Sequence, residues 1–209
     1  MANQDGEMTA ICGASRSGKS YFIKKKIIPA LPRPLFIWDY KDEYHKDGVA
    51  AKSGEVVQGA VRCTTQAEFI KAVRGGAPVV CFHGAVSDFD YFCEVCFKAS
   101  KVLSRCTVLA EELASVTGTA KAVGWWGEIL RMGLGMGMDI VTVAQSFTES
   151  DKTSIRNCSR MITYRQNTSD DIKSTANRMG VDPSVIATLK KYQGYCVDHN
   201  IDKKDYVKV

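Results

Sequence analysis

The chain has 209 residues and a mass of 23.0 kDa, enough for one domain with a substantial core and too little for two of ordinary size. Apolar residues make up 45% and charged residues 24%, average values that exclude a disordered tail, a fibrous repeat and a disulfide scaffold. A net charge of +5 with a pI of 8.7 permits a polyanionic partner without demanding one.

Short β-branched or aromatic runs alternate with longer helix-compatible segments, which predicts an α/β fold whose central, mainly parallel sheet is flanked by helices, within a single domain spanning 1–209. Met8–Cys12 reads as the first strand, followed by a Gly-Ser loop and a helix from about Gly18 that Pro29 closes. Pro34–Asp39 is a second strand, ending on an acid. Val61–Cys63 is a short strand, and Thr65 then caps a helix that stops at Gly75-Gly76. Pro78–Phe82 is a strand, and Ser87 is the expected cap of a helix running to about Leu103. Thr107–Ala110 is a buried strand that delivers Glu111 and Glu112. A Ser/Thr/Gly-rich stretch leads to a helix near Trp125–Met132 and then to the strand Asp139–Ala144. Met161–Tyr164 is a further strand, and helices near Ser169–Met179 and Pro183–Lys191 precede a C-terminal pair of strands.

The first residues carry Asp5 and Glu7 and no apolar core, so no signal peptide is expected. No apolar run approaches the roughly 18 residues of a membrane span. Both features lead to the expectation of a reducing cytoplasm, and the eight cysteines suit it, since most sit inside apolar runs as small buried hydrophobes. Cys93 and Cys96, with Cys81 and His83 upstream, could make a zinc quartet. They lack the usual second C-x-x-C, and the spacing also suits the inner face of a helix, which is the preferred reading.

The strongest signal is Gly13-Ala14-Ser15-Arg16-Ser17-Gly18-Lys19-Ser20, a complete G-x-x-x-x-G-K-[ST], or Walker A motif, between an apolar strand and a helix. The glycines let backbone N–H groups turn inward around a phosphate at a helix N-terminus. Lys19 supplies charge to the β- and γ-phosphates, and Ser20 offers its hydroxyl to Mg²⁺. Val108-Leu109-Ala110-Glu111-Glu112 resembles a Walker B strand, ending at the sheet edge where ligands of open α/β sheets bind. Glu111 is assigned to the metal and Glu112 to orienting the attacking water. A third apolar strand ends on Gln145, placed to sense the γ-phosphate or hold that water from the other side. Gly133-Leu134-Gly135-Met136-Gly137 precedes a strand rather than following one, so it reads as a helix stop and not as a dinucleotide fingerprint.

The order of these motifs resembles the HerA/FtsK superfamily of DNA-pumping P-loop ATPases, of the RecA/ASCE-like type. Asp39, Lys41, Glu43 and Tyr44 match its Asp-x-Lys-x-Glu-Tyr pattern after the second strand. The Gln145 strand is similar to its Ala-Thr-Gln sensor strand, and Ile155–Arg165 to the strand that follows. The family's metal-binding acid is usually Asp, where this chain has Glu111. A bare motor core of this size is similar to the genome-packaging ATPases of membrane-containing icosahedral viruses such as the tectiviruses.

The resemblance implies ATP and Mg²⁺ as cofactors, double-stranded DNA as the track, and a homo-oligomeric ring, commonly a hexamer, with the nucleotide between subunits. It further implies a capsid portal or membrane protein as partner, and a place in the host cytoplasm or at the packaging vertex. An arginine from a neighbouring subunit would stabilise charge on the γ-phosphate. Arg131 and Arg160 are favoured for that role over Arg156 and Arg165. Pore loops would meet DNA phosphates without reading sequence. The stretch 115–124 with Lys121 is a candidate, while Lys24-Lys25-Lys26 reads as a solvated helix face. The alternatives are a small-molecule kinase, a conjugation- or segregation-type DNA pump, a GTPase and a nucleotide-binding scaffold. The tandem acids favour water over a kinase acceptor, and a guanine-reading Asn/Thr-Lys-x-Asp is absent from the sequence.

Overall fold

A computed structural model describes residues 5–49, 51 and 56–208. The first four residues of the amino-terminal stretch discussed above lie outside the described residues. No helix of the described residues is long and apolar enough to cross a membrane.

Among the described residues, nine strands form one sheet in the order β3-β4-β2-β5-β6-β1-β7-β8-β9. They are β1 (Met8–Cys12), β2 (Leu35–Trp38), β3 (Ala60–Cys63), β4 (Val79–Phe82), β5 (Cys106–Ala110), β6 (Met138–Ala144), β7 (Arg160–Tyr164), β8 (Gln193–Asp198) and β9 (Lys203–Lys208). The first seven run parallel, β8 pairs antiparallel with β7, and β9 pairs antiparallel with β8 at the edge. Strands β1, β2, β4, β5 and β6 are buried along their whole length, as expected for parallel strands covered on both faces. The outermost strand, β9, is exposed at five of six positions and rich in lysine, which protects its free edge from further pairing.

The two-residue period of each strand sorts its side chains between two cores. Phe36, Trp38, Val80 and Phe82 face α2 (Gln66–Arg74), α3 (Phe89–Ser100) and α4 (Gly124–Glu128), where Phe69, Phe89, Phe92 and Trp126 complete an aromatic cluster. Leu35, Ile37, Val79 and Cys81 face the other side, with Phe22 and Ile23 of the helix after β1. A third cluster lies under α6 (Ser169–Met179) and α7 (Pro183–Ala187). Cys81 therefore packs on one face of the sheet while the buried Cys93 and Cys96 pack on the other, so the sheet separates the residues of the zinc quartet.

The strands lie close to their expected bounds, and Thr65 caps α2 in a reciprocal capping box with Glu68. Several local expectations are corrected. Ser87 does not cap α3, because Val86–Asp88 forms a 3-10 turn first and the Asp88 carboxylate accepts the Ala85 N–H. The helix after β1 is α1 (Lys19–Phe22), which widens into a π-helical turn over Ile23–Ile27 and tightens to 3-10 over Ile28–Ala30 around Pro29. The short helix α5 (Lys152–Asn157) was not anticipated; Asp151 caps it. Helix α7 stops at Ala187 rather than Lys191, freeing the next residues to reach the other end of the chain. Gly133 to Gly137 does form a helix stop, with Gly137 left-handed at φ 78°.

Candidate nucleotide site

Parallel strands bring their carboxyl ends to one edge, where β1, β2, β5 and β6 deliver Gly13, Asp39, Glu111 and Gln145. One strand, β6, separates β1 from β5, so Gln145 stands between the Walker A loop and Glu112.

The loop leaves β1 pinned on both sides, by Gly13 N–H to the Gln145 carbonyl at 3.0 Å and by Ala14 N–H to the Arg165 carbonyl at 2.9 Å. Gly18 takes φ 107° at the start of α1, a conformation open to glycine and strained for other residues. Lys19 is 8% exposed, and its ammonium donates to the carbonyls of Gly13 (2.9 Å) and Ala144 (2.8 Å). Burial lowers its pKa, with Lys41 pushing the same way. A cavity of about 390 Å³ opens on this loop, lined by Ala14 to Tyr21 and by Lys41, Glu43, Gln145, Lys191 and Tyr192.

Glu112 lies just past β5 with φ 49° and ψ 49°, a left-handed conformation that a side chain with Cβ adopts at a cost of order 1–3 kcal/mol. Its Oε1 accepts from Gln145 Nε2 at 2.9 Å, and its Oε2 is ion-paired with Lys41. Burial alone would raise this carboxyl, but Lys41 and Gln145 outweigh it and hold Glu112 below the usual range, ionised at neutral pH.

Glu111 is buried, at 1% exposed. Burial pushes its carboxyl well up, and the neighbouring charge of Glu43 adds to the effect. Tyr44 Oη lies 3.5 Å from its Oε1, while Oε2 has no hydrogen-bond partner among the described residues. Glu43 stays below the usual carboxylate range despite burial, because Glu111, Lys24, Ser20 and Lys41 favour its charged form. Ser20, Glu43 and Glu111 thus gather a hydroxyl and two carboxylates, oxygen donors that suit a hard divalent cation. Asp39 acts as the hinge of this cluster: it is fully buried and accepts the N–H groups of Glu43 (2.9 Å) and Tyr44 (3.0 Å).

No protein-family model matches the chain. Protein P9 of Pseudoalteromonas phage PM2 is 28% identical over 189 residues, 86% of this chain and 78% of that protein. Among solved structures, the genome packaging NTPase B204 from Sulfolobus turreted icosahedral virus 2, in complex with AMPPCP, superposes with a TM-score of 0.77 at 16% identity, covering 97% of both chains. Its complex with ATP-gammaS gives the same TM-score at 17% identity, covering 100% of this chain and 98% of that one. The chain shares its fold with B204. ATPases 2 and 3 of EssC from Geobacillus thermodenitrificans share it more distantly, with a TM-score of 0.58 at 11% identity over 99% of this chain and 39% of that one.

Of the residues expected at the phosphates, Ala14 to Ser20 and Gln145 line the cavity, and Glu112 adjoins it through its contact with Gln145. The two favoured arginines do not join them in the same subunit. Arg160 begins β7, at the amino end of a strand whose carboxyl end faces the cavity, and it pairs with Asp198 at 2.9 Å. Arg131 lies in the π-helical turn before β6 and pairs with Glu128 at 2.5 Å. Lys24 is not part of a solvated face: it is 7% exposed, donates to the Glu43 carbonyl at 2.8 Å and lies over the Tyr44 ring. Only Lys25 and Lys26 of that trio face solvent. The loop bearing Lys121 is tethered by Lys152 N–H to the Ala120 carbonyl and by Ala122 N–H to Thr153 Oγ1.

Sequence reasoning assigned no chemistry to Lys41, Glu43 or Tyr192. For the first two a signal existed in the alternation Asp39-x-Lys41-x-Glu43. Tyr192 had none, because only the tertiary fold returns it to the Walker A loop.

Proposed function

We propose that this chain is an ATP-hydrolysing motor that drives double-stranded DNA into a viral capsid. The observation that carries the reading is the Gln145–Glu112 contact beside the Walker A loop, an ionised carboxylate with its second oxygen held by Lys41; it supports Glu112 as the group that meets the attacking water. The likeness to B204 over nearly the whole chain supports packaging as the use of that hydrolysis.

In this reading the N–H groups of residues 14–20 cradle the phosphates, and Lys19 exchanges its two carbonyl partners for phosphate oxygens. The orphaned Oε2 of Glu111 and the Ser20 hydroxyl fit Mg²⁺, with Glu43 beside them. Mg²⁺, when bound, would neutralise charge on the β- and γ-phosphates. Glu112 accepts a proton from the attacking water, and Gln145 fixes both the carboxylate and that water. The chain works as a homo-oligomeric ring, a hexamer by the superfamily's habit, in the host cytoplasm or at a packaging vertex with a portal or membrane partner. Arg131 or Arg160 of a neighbouring subunit reaches the γ-phosphate. The tandem acid held by an amide favours water over the hydroxyl acceptor of a kinase.

The test is phosphate release from ATP with and without double-stranded DNA, for the wild type and Glu112→Gln. DNA-stimulated turnover that the variant loses while still binding ATP supports the motor. Turnover indifferent to DNA, with the ring assembled, overturns it.

A further inference from the structure

The cavity beside the Walker A loop is lined by two chemically different sets of side chains. Lys41, Glu43 and Gln145 belong with the acids and the phosphate end, while Tyr21, Lys191 and Tyr192 carry no acid and two aromatic rings. The second set comes partly from the turn between α7 and β8, more than 170 positions from the loop it touches.

Tyr192 is held there by its backbone. Its N–H donates to the Ser17 carbonyl at 2.8 Å, in the middle of the Walker A motif. Its φ is 64°, left-handed for a residue with a large side chain, and such strain concentrates at ligand sites. The close fit extends to Gly18, where an added Cβ would lie 2.6 Å from Tyr192 Cδ1. Despite this anchoring the residue is 47% exposed. Its ring meets that of Tyr21 edge to face at 6.1 Å, and the Lys191 ammonium lies 4.9 Å from its centroid. A fixed backbone with an exposed ring at the mouth of a phosphate cradle is an arrangement for a flat ligand.

We propose that Tyr192 is the platform on which the purine base of the bound nucleotide stacks, with Tyr21 bracing the ring and the base taking the place of the Lys191 ammonium over it. The inference rests on the reading of this cavity as the ATP site and names its base subsite. Stacking on an aromatic side chain contributes about 1–3 kcal/mol per base, so removing the ring weakens binding by roughly five- to 150-fold. It also links the C-terminal pair of strands to the nucleotide, since β8 starts at the next residue.

The experiment measures equilibrium binding of ATP and of inorganic tripolyphosphate, which has no base, to the wild type, Tyr192→Phe, Tyr192→Leu and Tyr192→Ala. The proposal expects Phe to bind ATP within about twofold of the wild type, and Leu and Ala to lose affinity at least about fivefold, with tripolyphosphate unchanged in all. Leu keeps apolar bulk without a π face, so equal ATP binding by Leu and Phe overturns stacking. Parallel losses for ATP and tripolyphosphate overturn it too, because they mean that the variant disturbed the loop through Ser17. A wild type that binds neither ligand rejects the ATP site itself, a result separable from every failure of Tyr192.

Discussion

Gln145 Nε2 donates to Glu112 Oε1 at 2.9 Å, joining the ends of β6 and β5 across the edge of the Walker A loop. The contact uses one oxygen of a carboxylate whose other oxygen is held by Lys41. Orientation, rather than the presence of an acid, is what this arrangement secures, and the left-handed backbone at Glu112 is part of how it is reached.

On the proposed mechanism, removing Glu112 and removing its holder Gln145 differ in degree. Glu112→Gln lowers kcat by about 10²–10⁴, the usual range for a general base, with ATP binding retained. Gln145→Ala leaves the carboxylate in place and lowers kcat by about tenfold to a hundredfold. Steady-state phosphate release with nucleotide titration separates the two effects.

Gly18 carries a different demand. Its φ of 107° and the approach of Tyr192 leave no room for a methyl group. Gly18→Ala is expected to weaken nucleotide binding at least about tenfold, about 1.4 kcal/mol, while leaving the far sheet edge folded. Isothermal titration with far-ultraviolet circular dichroism checks both halves of the statement.

The buried Asp42 is held by Arg62 through two hydrogen bonds, at 2.8 and 2.6 Å, and accepts the Val49 N–H as well. Arg62 is the leading cause that keeps its carboxyl below the ordinary value of 3.8. A depressed carboxylate stabilises the fold above its unfolded pKa, and that stabilisation is lost as pH falls through the folded value. Thermal melts from pH 6 to pH 3 should show the wild type losing stability faster than Arg62→Ala. At pH 6 Arg62→Ala should already be weaker by about 2 kcal/mol, for a lost hydrogen-bonded charge partner.

Asp151 is buried and joins two elements: it accepts from Ser154 N–H and Oγ at the start of α5 and from Trp126 Nε1 of α4 at 3.1 Å. Asp151→Ala removes the cap and leaves the indole N–H unpaired, costing about 2–4 kcal/mol. Because α5 tethers the loop around Lys121, the same variant should increase proteolytic cutting there, read by limited digestion with trypsin.

The sheet and the phosphate end of the site were legible because their signals are local. Strand runs such as Leu35–Trp38 declare themselves by apolar composition, and the Walker A loop by glycine and lysine at fixed spacing. The acidic cluster was half legible: Glu111 stands at a strand end, but its contact with Glu43 depends on β2 lying next to β5. The burial of Lys24 was hidden for the same reason, since its partners are Glu43 and Tyr44 rather than its helix neighbours. Helix α5 is only six residues long, too short for a hydrophobic period to show. The premature end of α7 was out of reach because the contact that needs it, Tyr192 to Ser17, spans nearly the whole chain.

Movement along DNA is the central claim, and displacement of a triplex-forming oligonucleotide from duplex DNA measures it directly. With ATP, the assembled wild type should strip the third strand at a rate that tracks hydrolysis, and Glu112→Gln should bind the same DNA without displacing it. Full ATP turnover on that DNA with the third strand left in place would contradict the account.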